Sequence, residues 1–144
     1  MTTDQAAWPF THLVTVQMVQ AGGVLAPLWT ELGYDSLDPY AVTMTFITPS
    51  QTSTWTFARD LLAEGQTRPV GENDVRVSPA LDAAGRRIVV VALCSDEGET
   101  LFELPADDVA CFMERVHATV RPGEESSHVD VDAAIAAIRA VQTV

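Results

Sequence analysis

Residues 87–94, Arg-Ile-Val-Val-Val-Ala-Leu-Cys, limit the fold more than any other stretch of this chain. β-Branched residues dominate the run, and with a side-chain period of two it is apolar on both faces. Such a strand has to be covered on both sides, so the rest of the chain must supply a sheet and a packing layer. With 144 residues, the usual size of one domain, a core can form without disulfides or metals.

The neighbouring segments read as further strands. Residues 12–20 place Val14, Val16 and Met18 on one face and Thr15 and Gln17 on the other, and Ala21-Gly22-Gly23 forms a turn. Residues 24–32 are apolar on both faces, with Val24, Leu28 and Leu32 on one and Leu25 and Trp29 on the other. Pro27 lacks an N–H, which places this strand at a sheet edge. A bare apolar edge invites aggregation, so something must cover it, from the same chain or a partner copy. Leu25, Pro27 and Trp29 are therefore the candidate oligomer-interface residues.

After a loop at 33–39, residues 40–48 put Tyr40, Val42, Met44 and Phe46 on one face. Residues 52–57 pair back with Trp55 and Phe57 facing one way, which makes a hairpin. A short helix at 59–64 closes on Gly65, read as a left-handed cap. The turn Gly71-Glu72-Asn73-Asp74 leads to a strand at 75–78, and Asp82-Ala83-Ala84-Gly85 turns the chain into 87–94. A hairpin through Asp96-Glu97-Gly98-Glu99 returns along 100–104.

Pro105 then opens a helix, with Asp107 and Asp108 in the first turn, where the helix dipole favours acids. Val109, Phe112, Met113, Val116 and Val120 repeat as one apolar stripe, and Pro122-Gly123 stops the helix. Asp132 reads as the N-cap of a last helix, 133–142, with Ile135, Ile138 and Val141 inward. The expected fold is α+β: an antiparallel meander of about seven strands with C-terminal helices. Residues 1–10 read as a loose N-terminal tail and 11–144 as a single domain.

Charge excludes some functions. The net charge is −12, and all 8 bases are Arg. Nucleic-acid binding draws most of its affinity from cations on phosphates, so an acidic chain is repelled by nucleic acid and anionic membranes unless its Arg cluster. Only Arg86 and Arg87 are adjacent, and they read as a solvated turn. The N-terminus has no basic residue and no apolar signal core, and no run approaches the ~20 residues that span a bilayer. The expected address is the cytoplasm, without membrane insertion.

Catalytic signatures are missing from the sequence. His12, His117 and His128 lie far apart, and there is no Cys-x-x-Cys, Gly-x-Ser-x-Gly or phosphate-binding glycine loop. Asp130-Val131-Asp132 lacks the Gly and closing Glu of a calcium loop. Cys94 and Cys111 read as reduced core thiols. Arg59 and Asp60 read as a local polar clasp. Trp29, Tyr40, Phe46 and Trp55 could stack single-stranded bases, but the missing cations favour core or interface packing. No catalytic residue, cofactor or metal is expected.

Three stretches carry a resemblance. They are Tyr34 to Val42 (YDSLDPYAV), Trp55 to Gly65 (WTFARDLLAEG), and Arg68-Pro69 with Gly71 to Val77 (GENDVRV). Together with the 87–104 hairpin and the C-terminal helices, they make residues 34–142 resemble the SsgA-like proteins of actinobacteria, the SsgB type in particular. The resemblance implies a non-enzymatic role in sporulation-specific cell division at the septum. It further implies a Whirly-like fold, a homotrimer, and FtsZ and SsgA as partners. The loops at 33–39 and 66–74 and the hairpin tip at 96–99 are candidate contact surfaces. The alternative is a single-stranded nucleic-acid binder of Whirly-like fold.

Overall fold

The computed structural model describes residues 9–128. Eight strands form one sheet: β1 (Phe10–Val19), β2 (Leu25–Tyr34), β3 (Ala41–Ile47), β4 (Thr52–Ala58), β5 (Val70–Glu72), β6 (Val75–Leu81), β7 (Arg87–Ser95) and β8 (Gly98–Pro105). Helix α1 (Arg59–Glu64) follows β4, and helix α2 (Ala106–Thr119) follows β8. All pairings are antiparallel, in the order β4-β3-β2-β1-β8-β7-β6-β5. The chain thus makes a four-stranded meander and a helix, then repeats that plan, and β1 and β8 join the halves. The expected helix at 133–142 lies outside the described residues.

The sheet is strongly bent. Phe46 of β3 and Phe102 of β8 stack with ring centroids 4.4 Å apart and planes 20° apart. Two strands separate β3 from β8, each about 4.8 Å wide in a sheet, so only a curled sheet brings these rings together. Its inner face holds Val14 and Val16, Leu32, Met44, Val89 and Val91, and Leu104, all essentially dry. Strand β7 is buried on both faces, as its composition demands, with Ile88 and Ala92 covered on the side opposite Val89 and Val91. Helix α2 lays Val109, Phe112, Met113 and Val116 on β7 and β8, each worth about 1.5–3 kcal/mol in burial. Phe10 opens β1 and packs on Tyr34 and Phe112, at 5.9 Å from each ring.

Four expectations need correction. There are eight strands rather than seven: Val70–Glu72 pairs with Val75–Val77 around a two-residue turn in which Asn73 takes φ 55°. The strand carrying Pro27 is not an edge strand, because β2 lies between β1 and β3. Pro27 is tolerated there because the ladder to β3 starts only at Trp29, which leaves Leu25–Leu28 paired on the β1 side alone. Gly65 has φ −65°, an ordinary helical value and not a left-handed cap. Glycine is needed there for space, since a Cβ would overlap Val77 of β6. Tyr40 precedes β3 and is exposed, so it does not share the inner face with Val42, Met44 and Phe46.

Candidate interaction surface

The face of the sheet turned away from α2 carries a group of exposed apolar side chains. In β2, Leu25, Pro27, Trp29 and Glu31 project to this face by alternation, and Trp29 is 58% exposed. Cross-strand register puts Ile47 of β3 on one side of Trp29 and Thr15 of β1 on the other. Leu13, two residues before Thr15, adds a further exposed apolar side chain. The residues singled out in the sequence thus sit together on one open face, with Leu13 and Ile47 as additions.

Beneath the opposite face, Arg59 forms a buried polar hub that the sequence showed only as a clasp. Its residue has no exposure, and it starts α1 where the chain leaves the sheet. Nη1 donates to the carbonyl of Val120 at 2.8 Å and to the hydroxyl of Tyr34 at 3.1 Å. That hydroxyl donates in turn to the carbonyl of Pro39 at 2.9 Å. Nη2 stands 3.2 Å from Glu125 Oε2, close enough to pair charges but without hydrogen-bond geometry. The hub thus ties α1 to the loop after β2 and to the segment after α2. Asp60, the other half of the expected clasp, faces solvent.

Electrostatics around the hub follow from burial and its one cation. Glu125 is held below the usual carboxyl range, first by its own backbone N–H and then by Arg59. Burial pushes the Tyr34 hydroxyl up, against the pull of Arg59. Burial, and then Arg59, lowers the pKa of His117 on α2.

Three further arginines are paired with acids. Arg68 meets Glu64, Arg76 meets Glu99, and Arg86 meets Asp82 at the solvated turn. Arg115 lies over the Phe10 ring, its Cζ 4.1 Å from the centroid. Among the described residues no three His, Cys, Asp or Glu side chains converge on a metal position, and no helix is long and apolar enough to cross a membrane. The two cysteines are not both core residues: Cys94 is half-buried and donates to Glu99 at 3.5 Å, and Cys111 is exposed. Position 111 follows the stripe residue Val109 by two, which turns it away from the sheet.

A family model described as "Streptomyces sporulation and cell division protein, SsgA" matches residues 28–125, the stretch from β2 to Glu125 of the hub. The chain belongs to the SsgA family. It is 50% identical over 107 residues to the sporulation-specific cell division protein SsgB of Streptomyces coelicolor, covering 74% of this chain and 77% of that one. A structure solved in work on mutations in SsgB that correlate to longitudinal cell division during sporulation of Streptomyces coelicolor has a TM-score of 0.79. It is 42% identical and covers 84% of this chain and 95% of its own. The SsgA-like sporulation-specific cell division protein of Thermobifida fusca has a TM-score of 0.82 at 34% identity, over 91% and 96% of the two chains. These likenesses agree with the resemblance read from the Trp55–Gly65 motif, and the matched stretch includes Trp29 and the Arg59 hub.

Proposed function

We propose that this SsgA-family chain is a non-enzymatic adaptor that helps position or recruit FtsZ at sporulation septum sites through protein–protein contacts. The observation that carries the reading is the likeness to sporulation-specific cell division proteins, and the open apolar face around Trp29 adds a surface for self-assembly. An apolar patch of this kind marks a protein contact. Leu25, Pro27 and Trp29 close a homotrimer, and the loops at 33–39 and 66–74 and the tip at 96–99 remain for FtsZ and SsgA. The site of action is the cytoplasmic side of the division septum. Fluorescent FtsZ followed by microscopy in sporulating cells tests it. Cells lacking the protein should fail to form regular ladders of FtsZ, and folded loop variants should reproduce the defect. Normal ladders in its complete absence would overturn the tethering role.

Exposed Trp29 and Tyr40 could instead stack bases of a single strand. The ion pairs at Arg59, Arg68, Arg76 and Arg86 speak against this, since cations already matched to acids release few counterions from phosphate. Fluorescence anisotropy with a labelled single-stranded oligonucleotide at ~150 mM salt should show no saturation below tens of micromolar. Submicromolar, salt-sensitive binding would favour this second reading.

A further inference from the structure

Strand β4 ends the sheet. It is seven residues long, Thr-Ser-Thr-Trp-Thr-Phe-Ala, and is paired with β3 over its full length. Among the described residues no strand pairs with its other side. Natural edge strands are usually protected by charge, proline, a bulge or extreme shortness. The opposite edge, β5, follows that rule with only three residues. Strand β4 follows none of it: it carries no charge and no proline, and it is rich in the β-formers Thr, Trp and Phe. Half of its backbone N–H and C=O groups point away from β3 by the geometry of an antiparallel pair.

A slot of about 200 Å³ runs along this free edge. Trp55 and Phe57 of β4 and Leu61 of α1 form one side. Val75 of β6 and the turn residues Asn73 and Asp74 form the other, where the curled sheet brings its far end round. The slot thus mixes apolar side chains with the polar Thr56 and Asn73, with one exposed carboxylate, Asp74, on its rim and no cation in its lining.

We infer that the β4 edge is a strand-addition site for an extended segment of another protein, one that carries an apolar side chain flanked by a basic residue. Backbone hydrogen bonds to the free edge would supply affinity, and alternate side chains in the slot would supply selectivity. The apolar side chain lies against Trp55 and Phe57, and the basic residue meets Asp74. A second copy of this chain fits less well, because its own β4 has no base to offer Asp74. The inference stands apart from the trimer, since it concerns a different surface from the face around Trp29, and it shares only Asn73 and Asp74 with the loop at 66–74 proposed above for FtsZ and SsgA.

The test uses the full chain and a fluorescein-labelled synthetic heptapeptide of alternating valine and threonine, with a central phenylalanine followed by lysine. Binding is read by anisotropy, and protection of the β4 amides by hydrogen exchange. Saturable binding is expected, weakened at least tenfold when alternate peptide amides are N-methylated, because these can no longer pair with the edge. Replacing the peptide lysine with glutamate, or Asp74→Lys in the protein, should each weaken binding severalfold, and combining the two should restore it. Trp55→Ala should remove binding; should that variant melt early, the Asp74→Lys pair decides alone. Three results would each overturn the inference: equal binding of the N-methylated peptide, no saturation at millimolar peptide, or no restoration in the charge-swapped pair. Protection in the isolated protein of the outward-pointing β4 amides, those not bonded to β3, would also overturn it. If independent of concentration, it would show the edge covered by the chain itself; if concentration-dependent, by a second copy.

Discussion

The guanidinium of Arg59 stands 3.2 Å from the carboxylate of Glu125, and both side chains are nearly or wholly removed from water. A buried cation held this way is strongly sensitive to loss of its partners, because desolvation is offset only by the pair and its hydrogen bonds. Arg59→Ala should therefore destabilise the fold by about 3 kcal/mol or more, since it also leaves the Val120 carbonyl and Tyr34 hydroxyl without their donor. Chemical denaturation of the variant, read by far-UV circular dichroism, measures this directly. A loss under 1 kcal/mol would show that the hub can be replaced cheaply.

The same hub gives stability a pH dependence of predictable sign. Glu125 is depressed in the folded state, by its own backbone N–H and by Arg59, from the usual value of 4.5. Its contribution is present above that unfolded value and is lost as pH falls through the folded one. His117 is also depressed, by burial first, from 6.5. The unfolded chain therefore binds the proton more readily, and stability from this group begins to fall as pH drops below the unfolded value. Denaturation midpoints followed from pH 8 downward should decline in two stages. His117→Gln should flatten the upper stage and Glu125→Gln the lower. A decline that His117→Gln leaves unchanged between neutrality and pH 5 would contradict the first assignment.

Gly65 separates two kinds of glycine effect. Its backbone is helical, so alanine imposes no strain in φ, but the added methyl would meet Val77 across the helix–sheet contact. Gly65→Ala should cost roughly 1–3 kcal/mol through overpacking. In a double-mutant cycle with Val77→Ala the double variant should lose less than the sum of the two single losses, because the smaller residue at 77 makes room for the methyl added at 65. Additive losses would place the difficulty in the backbone instead.

Much of this fold is legible in the sequence because burial writes a period. The two-faced run of β7, the alternation Val42-Met44-Phe46 and the stripe Val109-Phe112-Met113-Val116 each found their partners where the pattern put them. The failures occur where tertiary context outweighs local chemistry. Pro27 marks the end of one ladder rather than the edge of the sheet, a distinction set by how far β3 extends. Gly65 answers to Val77, a residue from a later strand. Strand β5 is too short to show alternation. Arg59 gave no sign of being the hub because its acceptors, Val120 and Tyr34, lie far from it in sequence. The candidate interface residues stood out by hydrophobicity out of place, whereas the free edge of β4 emerges only from the strand order.

The open face makes a claim about assembly. Trp29 is 58% exposed in the single chain, so Trp29→Glu removes little from the protomer and should leave its own stability within about 0.5 kcal/mol. In an assembly closed over Leu25, Pro27 and Trp29, the same change buries an unpaired carboxylate at a cost of several kcal/mol. Sedimentation equilibrium should give three times the chain mass for the native protein at micromolar concentration and the chain mass for the variant. A native protein that sediments as a monomer would sink the interface.

Cys111 and Phe112 are consecutive residues on α2 with opposite environments, the first exposed and the second without any exposure. A helix turns about 100° per residue, so one step is enough to leave the stripe that packs on β7 and β8. Cys111→Ser should be nearly silent, within about 0.5 kcal/mol, as for an ordinary surface site. Phe112→Ala should cost about 3–5 kcal/mol, because it deletes the ring that fills the space against Phe10 and His12. Thiol labelling of the native protein gives an independent reading. Cys111 should react at the rate of a free surface thiol, and Cys94, half-buried and hydrogen-bonded to Glu99, should lag behind it. Equal protection of both thiols under native conditions would mean that the outer side of α2 is covered, and the silent Cys111→Ser variant would then be expected to lose stability as well.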